Sequence, residues 1–170
     1  MRDDWPTAGR CPGRCDSGAV TWNCAPAPGA GAVLEGRYMV ELSAKMREFV
    51  AEVMLAVVGT RRRDNTVQMN PAWYEYRDGY FWLNSWRGSD WLRHIERHGD
   101  VTLFLLDPHN NGRWAQIQGT LVEASDEHGA AHIDALAHRY TGRPYDFGSN
   151  PRPRVRIQIE PLRISSYIDR

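Results

Sequence analysis

The chain has 170 residues, 42% of them hydrophobic and 25% charged, with 21 Lys and Arg balanced by 21 Asp and Glu. That length accommodates one domain with a sizeable core, and the neutral balance argues against a nucleic-acid or membrane partner, so any basic site must be local. No apolar run approaches the roughly 20 residues of a membrane-spanning helix and no apolar secretory segment follows the first four residues, so a cytoplasmic protein is expected.

Residues 1–38 are dominated by Gly, Pro, Ala and Cys and carry neither the helical nor the strand period. They are expected to form a disordered extension that contributes little to folding, leaving 39–170 as the folded domain. Cys11, Cys15 and Cys24 all lie in this extension. An odd count with no nearby histidine fits neither a disulfide framework nor a four-ligand zinc site, and no metal is expected.

Ser43 can cap a helix whose apolar stripe is Met46, Phe49, Val50 and Val53. The run Met54 to Gly59 suits a buried strand, ended by Thr60 before the polar turn of Arg61, Arg62 and Arg63. These arginines read as a solvated turn that could also border a pocket for an anion.

The stretch 66–95 organises the rest. It reads as two strands joined by a turn at Asp78-Gly79 and followed by a helix from about Ser89 to His98, stopped by Gly99. Gln68, Asn70 and Ala72 alternate with Val67, Met69 and Pro71 before the turn, and Tyr80 to Leu83 favour a pleated surface after it. Ser85, Arg87 and Ser89 then gather hydroxyls, a guanidinium and free N–H groups at a positive helix end, a place to hold a phosphate. Trp82 is expected in the core. Trp73, Trp86 and Trp91 stand near the polar cluster, where core and ligand contact are equally open.

Downstream, Val101 to Leu106 forms a buried strand, 107–112 a turn, and Arg113 to Glu123 a return strand whose polar face, with Trp114, Gln116, Gln118 and Thr120, could meet a ligand. A helix is expected over Asp126 to Tyr140, capped by Ser125 and weakened by Gly129 in its first turn, with His128 and His132 on a solvated face. The irregular segment 141–153 is a candidate lid, because Arg143, Tyr145 and Phe147 can reach over a site from it. Arg154 to Ile159 and, after Pro161, Leu162 to Ile168 close the chain as strands. Short connections throughout favour an antiparallel barrel or sandwich.

The order of LAVVGT, VQMNPAWYEYRDGYFWLNS, the helix with its R-x-S start, VTLFLLDP, RWAQIQGTLVE and VRIQIEPLRISSY resembles the pyridoxamine 5′-phosphate oxidase-like split β-barrel superfamily, most closely its deazaflavin-dependent branch. The resemblance spans roughly Ser43 to Tyr167. It implies a mainly β, antiparallel, FMN-binding-type split barrel with a few helices, forming a homodimer whose clefts hold FMN or coenzyme F420, with heme or biliverdin in some members. Carried over by position, Gln68, Asn70, Pro71, Ala72 and Trp73 would approach the cofactor ring, and Ser85, Arg87 and Ser89 its phosphate. The lysine common in the first turn of the helix is missing: Ser89-Asp90-Trp91 stand there, leaving Arg87 and Arg93 to neutralise the anion. Asp90 suits such a site only by pointing away.

The function implied is an F420-dependent oxidoreductase acting on a small molecule. The alternatives are an FMN-dependent oxidase or reductase and a non-catalytic flavin, deazaflavin or tetrapyrrole carrier. Arg87→Ala is accordingly expected to weaken cofactor binding strongly.

Overall fold

The computed structural model describes residues 40–148 and 152–168. The expectations for residues 1–38, for Cys11, Cys15 and Cys24, and for 149–151 of the candidate lid lie outside the described residues. Helix α1 (Ala44–Ala51) is capped by Ser43, whose hydroxyl accepts the Met46 N–H at 3.2 Å, and it buries Met46, Phe49 and Val50. It stops short of the expected stripe, because the backbone turns extended at Glu52 and leaves Val53 exposed.

Seven strands follow: β1 (Ala56–Arg61), β2 (Val67–Ala72), β3 (Tyr74–Arg77), β4 (Tyr80–Trp86), β5 (Asp100–Leu106), β6 (Trp114–Ser125) and β7 (Arg154–Tyr167). They form one antiparallel sheet in the order β2-β1-β5-β6-β7-β4-β3. β2 and β3 end that order on opposite sides, yet only Trp73 separates them in the chain. A sheet whose two outermost strands are joined by one residue must curl until its edges approach, which makes the half-barrel. What reads as one strand in the sequence is therefore two, broken at Trp73. The following hairpin turns at Asp78 and Gly79 with φ of 56° and 85°, the paired positive values of a type I′ turn.

The concave face holds the core, with Val58, Phe81, Leu83, Leu103, Ile117, Ile157 and Ile159 buried, and helix α2 (Asp90–His98) adds Leu92 and Ile95. Trp82 is also buried but points to the outer face, between the guanidinium groups of Arg77 and Arg156, with its Nε1 donating to the Arg77 carbonyl at 3.2 Å. β7 passes through Pro161 as a single strand where two were expected. Beyond Ile159 it pairs, among the described residues, with β6 alone, so a residue lacking an N–H is tolerated, and the pairing absorbs it with a register shift at Gln118/Gly119.

Helix α3 (Gly129–Thr141) starts later than expected. Ser125 ends β6, its hydroxyl accepting the Glu127 N–H at 3.2 Å, and His128 takes the left-handed conformation before the helix begins. Gly129, His132, Ile133, Leu136 and Ala137 form the buried stripe of α3. His132 is thus buried, not solvated, because the spacing 129, 132, 133, 136, 137 places it on the packed face. No described helix is long and apolar enough to cross a membrane.

The β5–β6 turn supplies a pH-dependent element. Asp107, 6% exposed, accepts the N–H groups of His109 and Asn110 at 2.8 and 3.2 Å and pairs with Arg113. These contacts, the His109 N–H foremost, hold its carboxyl below the usual range. A depressed carboxylate stabilises the fold fully above its unfolded pKa of about 3.9 and loses that contribution as pH falls through the lower folded value. The stability difference between the native chain and Asp107→Asn, measured by denaturant titration, should be largest near neutrality and shrink below pH 4.

Candidate functional site

One end of the half-barrel gathers three chain breaks. β2 ends with Pro71 and Ala72 before Trp73, β4 ends with Asn84, Ser85 and Trp86, and β7 begins with Arg154. Together with Trp91 from α2, Ile133 and Leu136 from α3, Leu55 and Tyr145, they enclose a cleft of about 390 Å³. That lies at the small end of the roughly 300–1,000 Å³ typical of small-molecule sites. A neighbouring cavity of about 200 Å³ shares Trp86, Tyr145 and Arg154 and adds Phe147 and Arg152.

The walls are apolar and aromatic, and their geometry is fixed. Trp73 stacks on Tyr140 with centroids 5.3 Å apart, and the Tyr140 hydroxyl donates to the Met54 carbonyl at 2.7 Å and accepts the Tyr74 N–H at 3.2 Å. This contact anchors the C-terminal end of α3 to the break between β2 and β3. Burial raises the Tyr140 phenol pKa, so the group stays protonated and serves as a brace.

The charged member of the cleft is Arg154. Its Nε donates to Asn84 Oδ1 at 2.7 Å and its guanidinium lies 5.3 Å from the centroid of the Tyr145 ring. Among the described residues no carboxylate pairs with it, and its half-buried position lowers its pKa through desolvation. Arg152 lies over Trp86 at 4.2 Å. A desolvated guanidinium without an acidic partner, beside flat aromatic walls, suits a planar aromatic ligand carrying an anionic group.

The residues singled out in the sequence divide between this cleft and other places. Pro71, Ala72, Trp73, Ser85, Trp86 and Trp91 line the cleft together. Ser89 does not: it is 1% exposed, shares a 2.6 Å hydrogen bond with Ser85 Oγ, and caps α2 by accepting the Leu92 N–H at 3.4 Å. Gln68 and Asn70 lie farther along β2, where Gln68 Nε2 donates to Asn70 Oδ1 at 3.4 Å and Asn70 Nδ2 is buried without an acceptor among the described residues. Gln116 sits mid-strand in β6, opposite Phe104 and Ser165, away from the cleft.

The two arginines expected at the phosphate have other partners. Arg87 donates through Nε and Nη2 to Asp126 at 3.1 and 2.9 Å and through Nη1 to Glu96 at 2.8 Å, so its fork is already occupied by carboxylates. Arg93 pairs with Asp90. Asp90 points away from the cleft, into a separate cavity of about 510 Å³ bordered by Arg62, Arg63, Arg93, His94 and Arg97. Exposed pairs of this kind contribute about 0–1 kcal/mol each. Arg87→Ala should therefore cost no more than about 1–2 kcal/mol of stability in a denaturant titration and change cofactor affinity less than twofold, against the strong loss the sequence suggested.

A larger concavity among the described residues, about 740 Å³, lies on the convex face between Val57, Val67, Met69, Phe104 and Leu162. It is mainly aliphatic; of its charged groups, Arg61 and Asp100 pair with each other at 3.1 Å, and Arg163 also lines it. Convergent aromatic walls beside a half-buried guanidinium make the smaller cleft the candidate site.

A curled antiparallel sheet closed through a one-residue break, with a cleft at the barrel end beside α3, defines a split β-barrel protein. Residues 42–167 match the family model described as pyridoxamine 5′-phosphate oxidase, and the chain belongs to that family. Similar solved structures include an F420 reductase, 21% identical over 70% of this chain and 94% of that one, with a TM-score of 0.64. A conserved hypothetical protein from Mycobacterium tuberculosis is 24% identical over 81% of this chain and 91% of that one, at 0.63. HupZ from Group A Streptococcus is 20% identical over 76% and 96%, at 0.56. At these identities the likeness shows the fold. No curated protein matches the chain.

Proposed function

We propose that the chain is an oxidoreductase that uses coenzyme F420, with the cleft between Trp73, Trp86 and Trp91 holding the deazaflavin ring and Arg154 holding an anionic group of its tail. The observation that carries this reading is the half-buried Arg154 guanidinium, bonded among the described residues to a neutral amide and to no carboxylate, beside aromatic walls. The fold shared with an F420 reductase supports it. When bound, the reduced coenzyme supplies a hydride to an activated double bond or carbonyl of a small substrate. No carboxylate or imidazole lines the cleft among the described residues, so the side chains there bind, orient and exclude water. FMN is the second reading, favoured by the family itself and by the same pairing of a planar ring with a phosphate.

Titration of the protein with F420 and with FMN, following ligand and tryptophan fluorescence, tests the assignment. Saturable binding of F420 with quenching of tryptophan emission is expected, and tighter binding of FMN would transfer the assignment to the second reading. Purification with a heme Soret band and no binding of either coenzyme would overturn both.

We also propose that a second copy of the chain covers the convex face. Val67, Met69 and Leu162, exposed by 61%, 58% and 52%, line its concavity together, an apolar patch of the kind that marks an interface. Light scattering at micromolar concentration should give twice the chain mass, and Met69→Asp should give the monomer. A monomeric native chain would remove the proposal.

A further inference from the structure

The guanidinium in the cleft is the end of a polar chain that runs through the protein behind it. Arg154 Nε donates to Asn84 Oδ1 at 2.7 Å, and Asn84 Nδ2 donates to the Gly129 carbonyl at 2.9 Å and lies 3.3 Å from His132 Nδ1. On the far side of the ring, His132 Nε2 is 3.5 Å from Glu75 Oε1, a separation long for a hydrogen bond but close for an electrostatic contact. Asn84 and His132 are both 7% exposed. Four side chains from β7, β4, α3 and β3 therefore form one line from the cleft to Glu75.

The bonding capacities along this line allow a single arrangement. Arg154 Nε can only donate and the Gly129 carbonyl can only accept, so the Asn84 amide must present its oxygen to the first and its nitrogen to the second. The second Asn84 N–H then faces His132 Nδ1, which must be an acceptor. The imidazole proton is thereby placed on Nε2, toward Glu75, and the carboxylate favours that tautomer. A carboxylate bonded directly to Arg154 would compete with an incoming anion. Placed beyond two neutral groups, Glu75 orders the chain and leaves both Nη atoms of Arg154 without a partner among the described residues.

We propose that His132 and Glu75 are positioning residues that aim Arg154 into the cleft through Asn84. This rests on the reading of Arg154 as the anion-holding group. The structure places His132 on the buried stripe of α3 and Glu75 on the short strand β3, and neither lines the cleft; they act through Asn84. The contact with His132 and, after it, Arg77 at 3.4 Å hold the Glu75 carboxyl below its usual range at the outer end of the line.

The test is nuclear magnetic resonance of the full chain combined with titration by FMN and F420. In the native protein His132 should show the neutral Nε2–H tautomer, and the Arg154 Nε–H should exchange slowly with water. In His132→Leu, which lacks an acceptor for Asn84, that exchange should rise at least tenfold and coenzyme Kd should rise by about tenfold. His132→Gln, whose side-chain carbonyl can accept, should restore both. Added to Arg154→Ala, His132→Leu should cause no further loss of affinity. An Nδ1–H tautomer in the native chain, or unchanged Arg154 Nε–H exchange in a folded His132→Leu, overturns the proposal. Should His132→Leu fail to fold, Glu75→Gln decides: loss of the Nε2–H preference supports the relay and an unchanged tautomer overturns it. If Arg154→Ala binds both coenzymes as tightly as the native chain, the cofactor assignment fails, while the exchange measurement still decides the relay.

Discussion

Arg154→Ala is expected to weaken F420 binding by roughly ten- to a hundredfold, about 1.5–3 kcal/mol, the range for a hydrogen bond to a charged group. The upper end is not reached because the guanidinium is only half-buried and solvent screens part of the interaction. Among the described residues the Arg154 side chain makes one hydrogen bond, through Nε to Asn84, so its two terminal nitrogens are the ones left for a ligand. Arg154→Lys should recover part of the loss, since the charge returns without the planar fork and without the bond to Asn84. Folding should be little affected by either change, because β7 is held by its pairing to β4 and β6. Fluorescence titration measures the effect. An affinity equal to the native one would overturn the assignment of Arg154 as the anion-holding group and turn attention to other basic concavities, such as that of Arg62, Arg63, Arg93 and Arg97.

The contrast between Arg154 and Arg87 shows how far the sequence could lead. Arg87 stands two residues before the helix cap Ser89 and two after Ser85, a local pattern that favours a phosphate whatever surrounds it. What decides its role is Asp126, 39 residues away, and Glu96 on the next turns of α2, both delivered by tertiary packing. Arg154, in turn, looks like an ordinary outward residue of an alternating strand. The placement of α3 over that face helps to half-bury it, and among the described residues no carboxylate pairs with it, which is what makes it the proposed ligand group. The strand pattern, the I′ turn at Asp78-Gly79 and the caps at Ser43 and Ser89 were legible because they depend on neighbours in the chain. The break at Trp73 was not, since it arises from closure of the sheet between β2 and β3. Six residues of the cleft could be named in advance because they belong to one contiguous stretch. Asn84 was hidden in an apolar run, and His132 could have been found by extending the stripe of Ile133, Leu136 and Ala137 back to Gly129.

Gly129→Ala carries the largest expected effect on stability, and its sign is opposite to what the helix alone would dictate. Alanine in place of glycine within a helix is ordinarily favourable by about 1 kcal/mol, since glycine has more backbone freedom to lose. At Gly129 a Cβ would lie 2.0 Å from the Arg154 carbonyl oxygen and 2.5 Å from its carbon. Those atoms belong to the backbone of β7, which is paired on one side with β4 and on the other with β6, so they cannot rotate aside as a side chain could. Relief requires α3 to lift from the sheet, opening the packing of Ile133 and Leu136 and breaking the 2.9 Å bond from Asn84 Nδ2 to the Gly129 carbonyl. Overpacking against fixed atoms costs roughly 3 kcal/mol or more. For a chain of this size that corresponds to a fall in Tm of about 6–12 °C, measurable by circular dichroism. The same displacement removes one of the two acceptors that orient Asn84, so coenzyme affinity should fall even at temperatures where the variant is folded. A Tm equal to or above the native value would mean that α3 does not sit against β7 as described, and the wall that half-buries Arg154 would have to be redrawn.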